Sequence, residues 1–326
     1  MAQVVAVIAS THHPFYYRAS TAVGEERPPF ADEWVASAPG TDGALAMAMG
    51  HVILKEFFVD RQVDFFTDYN QKYTDLPFLV ALEPDTSAAG SAGSADGPAY
   101  RPGKYLVAGD LDIAESTSEN AMWKPALIDG RTGEVAIPQG SIGFRYGEEG
   151  WGKWNLDLGD IEPVLTLHGT ATETARIVLP RFDSYDGKVA HVSRGVPVRR
   201  IGGRLVTTVL DLMLAQYGVS RPGMPGTWPA DYDDPSTPAT PAWQEEITSV
   251  PAEQVIRLAR EWAQNAIDTT GRGMILMGAG TNHWFHSDQI YRAMLVLTTI
   301  TGCQGRNGGG WAHYVGQEKV RPIMGF

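Results

Sequence analysis

The chain of 326 residues has one cysteine, Cys303, and that scarcity excludes several architectures. No disulfide can form within it, and neither a four-cysteine zinc site nor a cysteine-ligated iron–sulfur cluster can be built from it alone. Positive charge is also scarce, with 26 Lys and Arg against 38 Asp and Glu and a formal net charge of −12. Nucleic acid is therefore not expected as a partner, because phosphate binding needs concentrated basic residues. No run of 18 apolar residues occurs, so no direct membrane insertion is expected. The first ten residues are apolar but lack a basic leader, which argues against a signal peptide and leaves a cytoplasmic setting as the default. His168 and His191 have no partner histidine at metal spacing, so both read as structural and no metal-ligating set emerges.

What the chain does have is glycine at informative places. Met274 to Met277 are four apolar residues between Gly273 and Gly278, the pattern of a short buried strand. Gly278 and Gly280 then allow a tight turn and leave room for a ligand to approach the backbone. Ser287 and Asp288 signal a helix start, and Ile290, Ala293, Met294 and Leu297 repeat behind them at helical spacing. That helix is expected to end near Gly302, with Gly308, Gly309 and Gly310 close behind. Glycine-rich loops at both ends of one helix predict backbone wrapped around something large. Gly278-Ala-Gly280 is followed by Thr281, Asn282 and His283, so the dinucleotide fingerprint is incomplete, and no Walker lysine follows. A simple nicotinamide or P-loop site is excluded on that basis.

The remaining chain reads as α/β with a mixed β-rich middle. Residues 3–9 form a strand pattern, and the rest of a non-matching N-terminal stretch, 1–29, is irregular. Residues 30–83 read as the end of an α/β cofactor-binding domain. Within them Ala38 to Asp42 is a turn opening a helix that buries Leu45, Ala48, Met49, Val52 and Ile53. Thr41 and Asp42 are either simple caps or part of an anion site at that helix N-terminus. Leu76 to Leu82 has strand character, and 84–98 is a low-complexity, flexible insertion. Residues 99–240 form the β-rich subregion, with Trp123, Trp151 and Trp154, and with Gly140 to Arg145 as either a ligand-facing loop or a hairpin turn. Its end carries a helix, Val206 to Tyr217, facing inward with Val209, Leu212, Met213 and Gln216, then a proline-rich surface loop over 218–242. The last part, 241–326, is an α/β segment whose first helix has Pro251 in its first turn and buries Val255, Leu258, Ala259, Trp262 and Ala263.

Four segments carry a family resemblance: Gly40 to His51 (GTDGALAMAMGH), Gly140 to Arg145 (GSIGFR), Gly278 to Trp284 (GAGTNHW) and Gly308 to Lys319 (GGGWAHYVGQEK). Together they resemble the catalytic alpha subunits of membrane-bound respiratory nitrate reductases, within the molybdopterin oxidoreductase family that includes dimethyl sulfoxide reductase and formate dehydrogenase. The family's TGN-x-G-x-x-GG loop reads Thr301-Gly-Cys-Gln-Gly-Arg-Asn-Gly-Gly309 here. The resemblance runs over about residues 30–326 and implies an internal fragment of the multi-domain fold.

It further implies a molybdenum bis(molybdopterin guanine dinucleotide) cofactor and reduction of nitrate to nitrite. Electrons would come from quinol through an iron–sulfur beta subunit and a membrane haem gamma subunit, which would hold the chain at the cytoplasmic face of the inner membrane. By the same resemblance Gly40, Thr41 and Asp42 touch a cofactor nucleotide. Gly278, Gly280, Asn282 and His283 line the pterin region, as do Gly302, Gly308, Gly309, Gly310, Trp311 and Gln317. His283 and Arg292 are the candidate anion-facing groups. Arg292 falls where formate dehydrogenases carry an active-site arginine, the alternative being an i, i+4 ion pair with Asp288. The family's iron–sulfur motif and its molybdenum-ligating aspartate lie upstream of the matched segments, and its last domain lies downstream. The competing expectation is therefore a non-catalytic remnant with a partial cofactor surface.

Overall fold

The computed structural model describes residues 5–7, 33–85, 98–139, 157–181, 183 and 191–313. The irregular stretch 10–29, most of the insertion at 84–98, Gly140 to Arg145, Trp151, Trp154 and Gln317 lie outside the described residues. The chain forms two compact units, Met1–Arg61 with Pro229–Phe326, and Gln62–Trp228. These two units divide at 61/62 and 228/229. Residues 62–83 go with the β-rich unit because their strand is a stave of its barrel.

The first unit opens with β1 (Val5–Val7), which runs parallel to β2 (Glu33–Val35) with Val5 opposite Glu33. Helix α1 (Asp42–Leu54) follows and continues into a π-helical turn, Lys55–Val59. The five residues expected to be buried are buried. Ala46, Gly50, His51 and Leu54 are buried too, so the helix is enclosed on nearly every side and shows little amphipathic contrast.

The second unit contains α2 (Asp64–Tyr73), β3 (Leu79–Pro84), β4 (Ala99–Tyr105), β5 (Leu127–Ile128), β6 (Val135–Ala136), β7 (Glu173–Pro180), β8 (His191–Ile201), β9 (Arg204–Thr208) and α3 (Val209–Gln216). Five strands close a barrel in the order β3-β4-β7-β8-β9, with β4–β7 the parallel pairing and the others antiparallel. Ala175, Ile177 and Leu179 alternate along β7 and pack with Val192, Val196, Val198 and Leu205, the period of a strand with one buried face. Helix α3 differs from its expected orientation. It buries Leu210, Asp211, Leu214 and Ala215, the face opposite the expected stripe. The cause is Asp211, which is buried because Arg221, Thr166, Thr208 and the Leu167 N–H all bond its carboxylate. A pattern built on apolar residues alone turns such an aspartate outward.

The chain then returns to the first unit through α4 (Pro241–Thr248), α5 (Ala252–Asp268), β10 (Met274–Met277), the single turn α6 (Ala279–Asn282), α7 (Ser287–Ile300) and β11 (Gly310–His313). Helices α4, α5 and α7 pack around α1. Helix α4 ends the stretch read as a surface loop. Thr240 caps it, accepting from the Trp243 N–H at 3.1 Å, with Pro241 at the first helical position. Thr237, Ala239 and Thr240 are buried, so the end of that proline-rich stretch is core. Helix α5 buries its expected face except Trp262, which is half-buried and donates to the Thr301 hydroxyl. Strand β10 has the expected limits but is buried only at Met277, since Met274 is 42% and Leu276 76% exposed. Among the described residues its sheet has two strands, β10 and β11 in parallel, and neither Met274 nor Leu276 is covered.

Candidate functional site at the carboxyl ends of a parallel strand pair

Parallel β10 and β11 pair Met274 with Gly310 at one end and Met277 with His313 at the other. Four residues of strand separate these ends by about 10 Å. The glycines expected to share one cleft divide between them. Gly278 follows Met277 at the carboxyl end, whereas Gly308 to Gly310 lead into β11 at the amino end.

At the amino end Gly302, Gly309 and Gly310 are held by packing of the chain on itself, while a Cβ added on Gly308 (φ +82°) would meet nothing within 4 Å, so that glycine is open like Gly278. Gly302 (φ +68°) stops α7 with its N–H on the Thr299 carbonyl at 3.0 Å, and the next N–H, of Cys303, reaches the Thr298 carbonyl at 2.8 Å. This is the left-handed glycine stop that satisfies the last carbonyls of a helix. A Cβ on Gly309 would sit 2.1 Å from the Gly271 carbonyl oxygen, and one on Gly310 (φ +91°) 3.1 Å from the Gln304 side chain.

The carboxyl end is different. Gly278 is extended (φ −116°) and Gly280 lies within the single turn α6, so neither adopts a left-handed conformation. A Cβ on Gly278 would meet nothing within 4 Å, so its outer face is open. The loop is fastened by the Thr281 hydroxyl donating to the Gly278 carbonyl at 2.8 Å and by the Trp284 indole N–H donating to the Gly280 carbonyl at 2.9 Å. Trp284 in turn lies against Gly40, which has φ +81° and whose Cβ would be 3.0 Å from the indole. The Gly40–Asp42 turn and the Gly278–Trp284 loop therefore meet, and the first turn of α1 approaches α7 at Gly43 and Ile290.

Asp42 is the unusual group here. It is 1% exposed, at the first position of α1. The Ser37 hydroxyl donates to its Oδ1 at 3.3 Å, while Oδ2 is buried without a hydrogen-bond partner. Burial pushes its carboxyl above the ordinary aspartate value, against the pull of its own N–H and of Ser37. Thr41 does not cap the helix with its side chain. Its hydroxyl donates backward to the Ala38 carbonyl at 2.6 Å.

Asn282 is half-buried beside Thr281, while His283 and Arg292 are exposed. The alternative ion pair of Arg292 with Asp288 is not among the salt bridges of the described residues, and Asp288 instead accepts from Gln289 at 3.0 Å. Trp311 is half-buried on β11. Three residues that spacing did not single out join the site. Ser37 holds Asp42, Trp284 bridges the two segments, and Tyr291 of α7 bonds His313 of β11 at 3.0 Å. Among the described residues no cluster of three or more His, Cys, Asp or Glu could hold a metal ion, and no helix is long and apolar enough to cross a membrane.

The sequence pattern described as molybdopterin oxidoreductase matches residues 15–324, beginning upstream of the quoted segments and including part of the stretch 1–29 read as non-matching. The chain is 57% identical over 302 residues to the nitrate reductase alpha subunit of Mycobacterium tuberculosis, covering 91% of this chain and 23% of that protein. It is 43% identical over 311 residues to the respiratory nitrate reductase 2 alpha chain of Escherichia coli, covering 90% of this chain and 24% of that one. Perchlorate reductase subunit alpha of Dechloromonas aromatica is 31% identical over 308 residues, covering 90% of this chain and 25% of that subunit. The chain thus spans about a quarter of the length of the curated relatives it matches. With nearly its whole length matched, the chain belongs to the molybdopterin oxidoreductase family.

Proposed function

We propose that the chain is part of the catalytic subunit of a molybdenum-dependent nitrate reductase and supplies part of the cradle for a molybdopterin guanine dinucleotide. The observation that carries this reading is the meeting of the Gly40–Asp42 turn with the Gly278–Trp284 loop at the carboxyl ends of a parallel strand pair, where open α/β sheets bind ligands. The donor set suits the group. Asp42 Oδ2 is a buried oxygen lacking a partner, which a nucleotide N–H would satisfy. The open face of Gly278 admits a large ligand against bare backbone. When bound, the cofactor supplies the redox and oxygen-transfer chemistry, and this chain holds and orients it. His283 and Arg292, both exposed, are the groups proposed to face an anion.

The proposed substrate is nitrate, with electrons delivered from quinol through an iron–sulfur beta subunit and a haem-bearing gamma subunit that hold the enzyme to the cytoplasmic face of the membrane. The nitrate reductase names of the more similar relatives support this assignment. The perchlorate reductase relative supports a second reading, reduction of another oxyanion on the same cofactor.

Gly278→Val tests the cradle. The added side chain projects into open space, so folding is expected to be unchanged. In the nitrate-reducing enzyme containing this chain, the variant is expected to lose most of its molybdenum and acid-released guanosine monophosphate at an unchanged melting temperature. Full cofactor content in the variant would contradict the reading.

A further inference from the structure

Three aromatic rings meet at the carboxyl end of β11. Trp311 and His313, two residues apart on the same face of the strand, stack nearly parallel at 11° with centroids 5.2 Å apart. Tyr291 stands edge-on to both, at 5.2 Å from Trp311 and 5.1 Å from His313. Its phenol oxygen is 3.0 Å from His313 Nε2. The imidazole is thus fixed on two sides, by a stack and by a hydrogen bond, while the residue itself stays exposed. Its other ring nitrogen, Nδ1, has no hydrogen bond among the described residues. His313 pairs in register with Met277, so its backbone lies beside the residue that opens the Gly278 loop. A histidine locked in this way, with one nitrogen engaged and the other unused, has the layout of a positioned ligand-binding imidazole whose tautomer is set by its second partner.

We infer that His313 donates a hydrogen bond from Nδ1–H to a phosphoryl oxygen of the nucleotide cofactor, and that Tyr291 is the positioning residue that sets this tautomer by donating its O–H to Nε2. The inference rests on the cofactor reading above. It adds a contact at the carboxyl end of β11, away from the glycines at its amino end. Trp311 restrains the ring by stacking.

The test uses the chain with 15N-labelled histidine and guanosine diphosphate as the probe, read by long-range nitrogen–proton spectra and by a binding titration. His313→Gln identifies the His313 signals. The free chain is expected to show His313 mainly as the Nδ1–H tautomer, and the diphosphate to shift Nδ1. Tyr291→Phe is expected to move the tautomer toward Nε2–H and weaken binding about three- to tenfold. His313→Asn, which keeps a side-chain donor, is expected to bind more tightly than His313→Phe, which keeps only the stack. If the diphosphate binds and Gly278→Val abolishes that binding, while the His313 nitrogens and Tyr291→Phe affinity stay unchanged, this inference fails and the cofactor reading stands. If the unaltered chain does not bind the diphosphate, both fail.

Discussion

The Trp284 indole covers Gly40 so closely that a methyl group added there would meet the ring at 3.0 Å. This contact joins the two glycine segments at the end of β10. Gly40→Ala is expected to destabilise the chain by about 1–2 kcal/mol, since φ +81° is unfavourable for alanine and the indole must shift. Adding Trp284→Ala should relieve the steric part and leave the backbone part. Chemical denaturation of the two single variants and the double variant separates these contributions, and strict additivity would show that the residues do not interact.

Asp42 has a carboxyl raised by burial, so its protonated form is favoured in the folded chain. The stabilisation from this preference is fully present below the unfolded-state value near 3.8 and is lost as pH rises through the folded value. At neutral pH the buried charge is a cost. Asp42→Asn should therefore raise stability at pH 7 by about 1 kcal/mol, flatten the acid limb of the profile, and weaken guanosine diphosphate binding. Melting curves from pH 3 to 8 check the sign, and a variant less stable at pH 7 than at pH 3 relative to the parent would contradict it.

In the barrel unit Asp211 and Arg221 form an ion pair with side chains 0% and 3% exposed. Asp211→Ala leaves the guanidinium buried without its carboxylate and should cost about 3–5 kcal/mol. The double change Asp211→Leu with Arg221→Met should recover much of that loss, because removing both charges also removes their desolvation. Urea midpoints of the two variants decide the matter.

Leu276 is 76% exposed on β10, next to Met274 at 42%. An apolar strand face of this kind favours self-association. Leu276→Lys should reduce concentration-dependent association in sedimentation experiments without lowering the melting temperature. Equal association of parent and variant would locate the sticky surface elsewhere.

Helix α1 and strand β10 were legible because hydrophobic spacing and flanking glycines report local geometry. The face of α3 was not, since Asp211 is buried through Arg221, ten residues on, and through Thr166 and the Leu167 N–H, more than forty residues back, and spacing holds no record of such partners. The exposure of β10 was hidden for a similar reason. Four apolar residues mark a strand, but what covers it is a tertiary fact. Glycine was the most ambiguous signal. Gly278 and Gly309 look alike in sequence, yet one faces open space and the other packs on the Gly271 carbonyl. His313 stood in a quoted motif, but its pairing with Tyr291 depends on the contact between α7 and β11.

The most direct measurement is hydrogen exchange of backbone amides in the chain with and without saturating guanosine diphosphate. Slowed exchange is expected at residues 40–44 and 278–283, with Gly309 and Gly310, which pack on Gly271 and Gln304, unchanged. Protection confined to 302–310, or none at either carboxyl-end segment despite measured binding, would contradict this expectation.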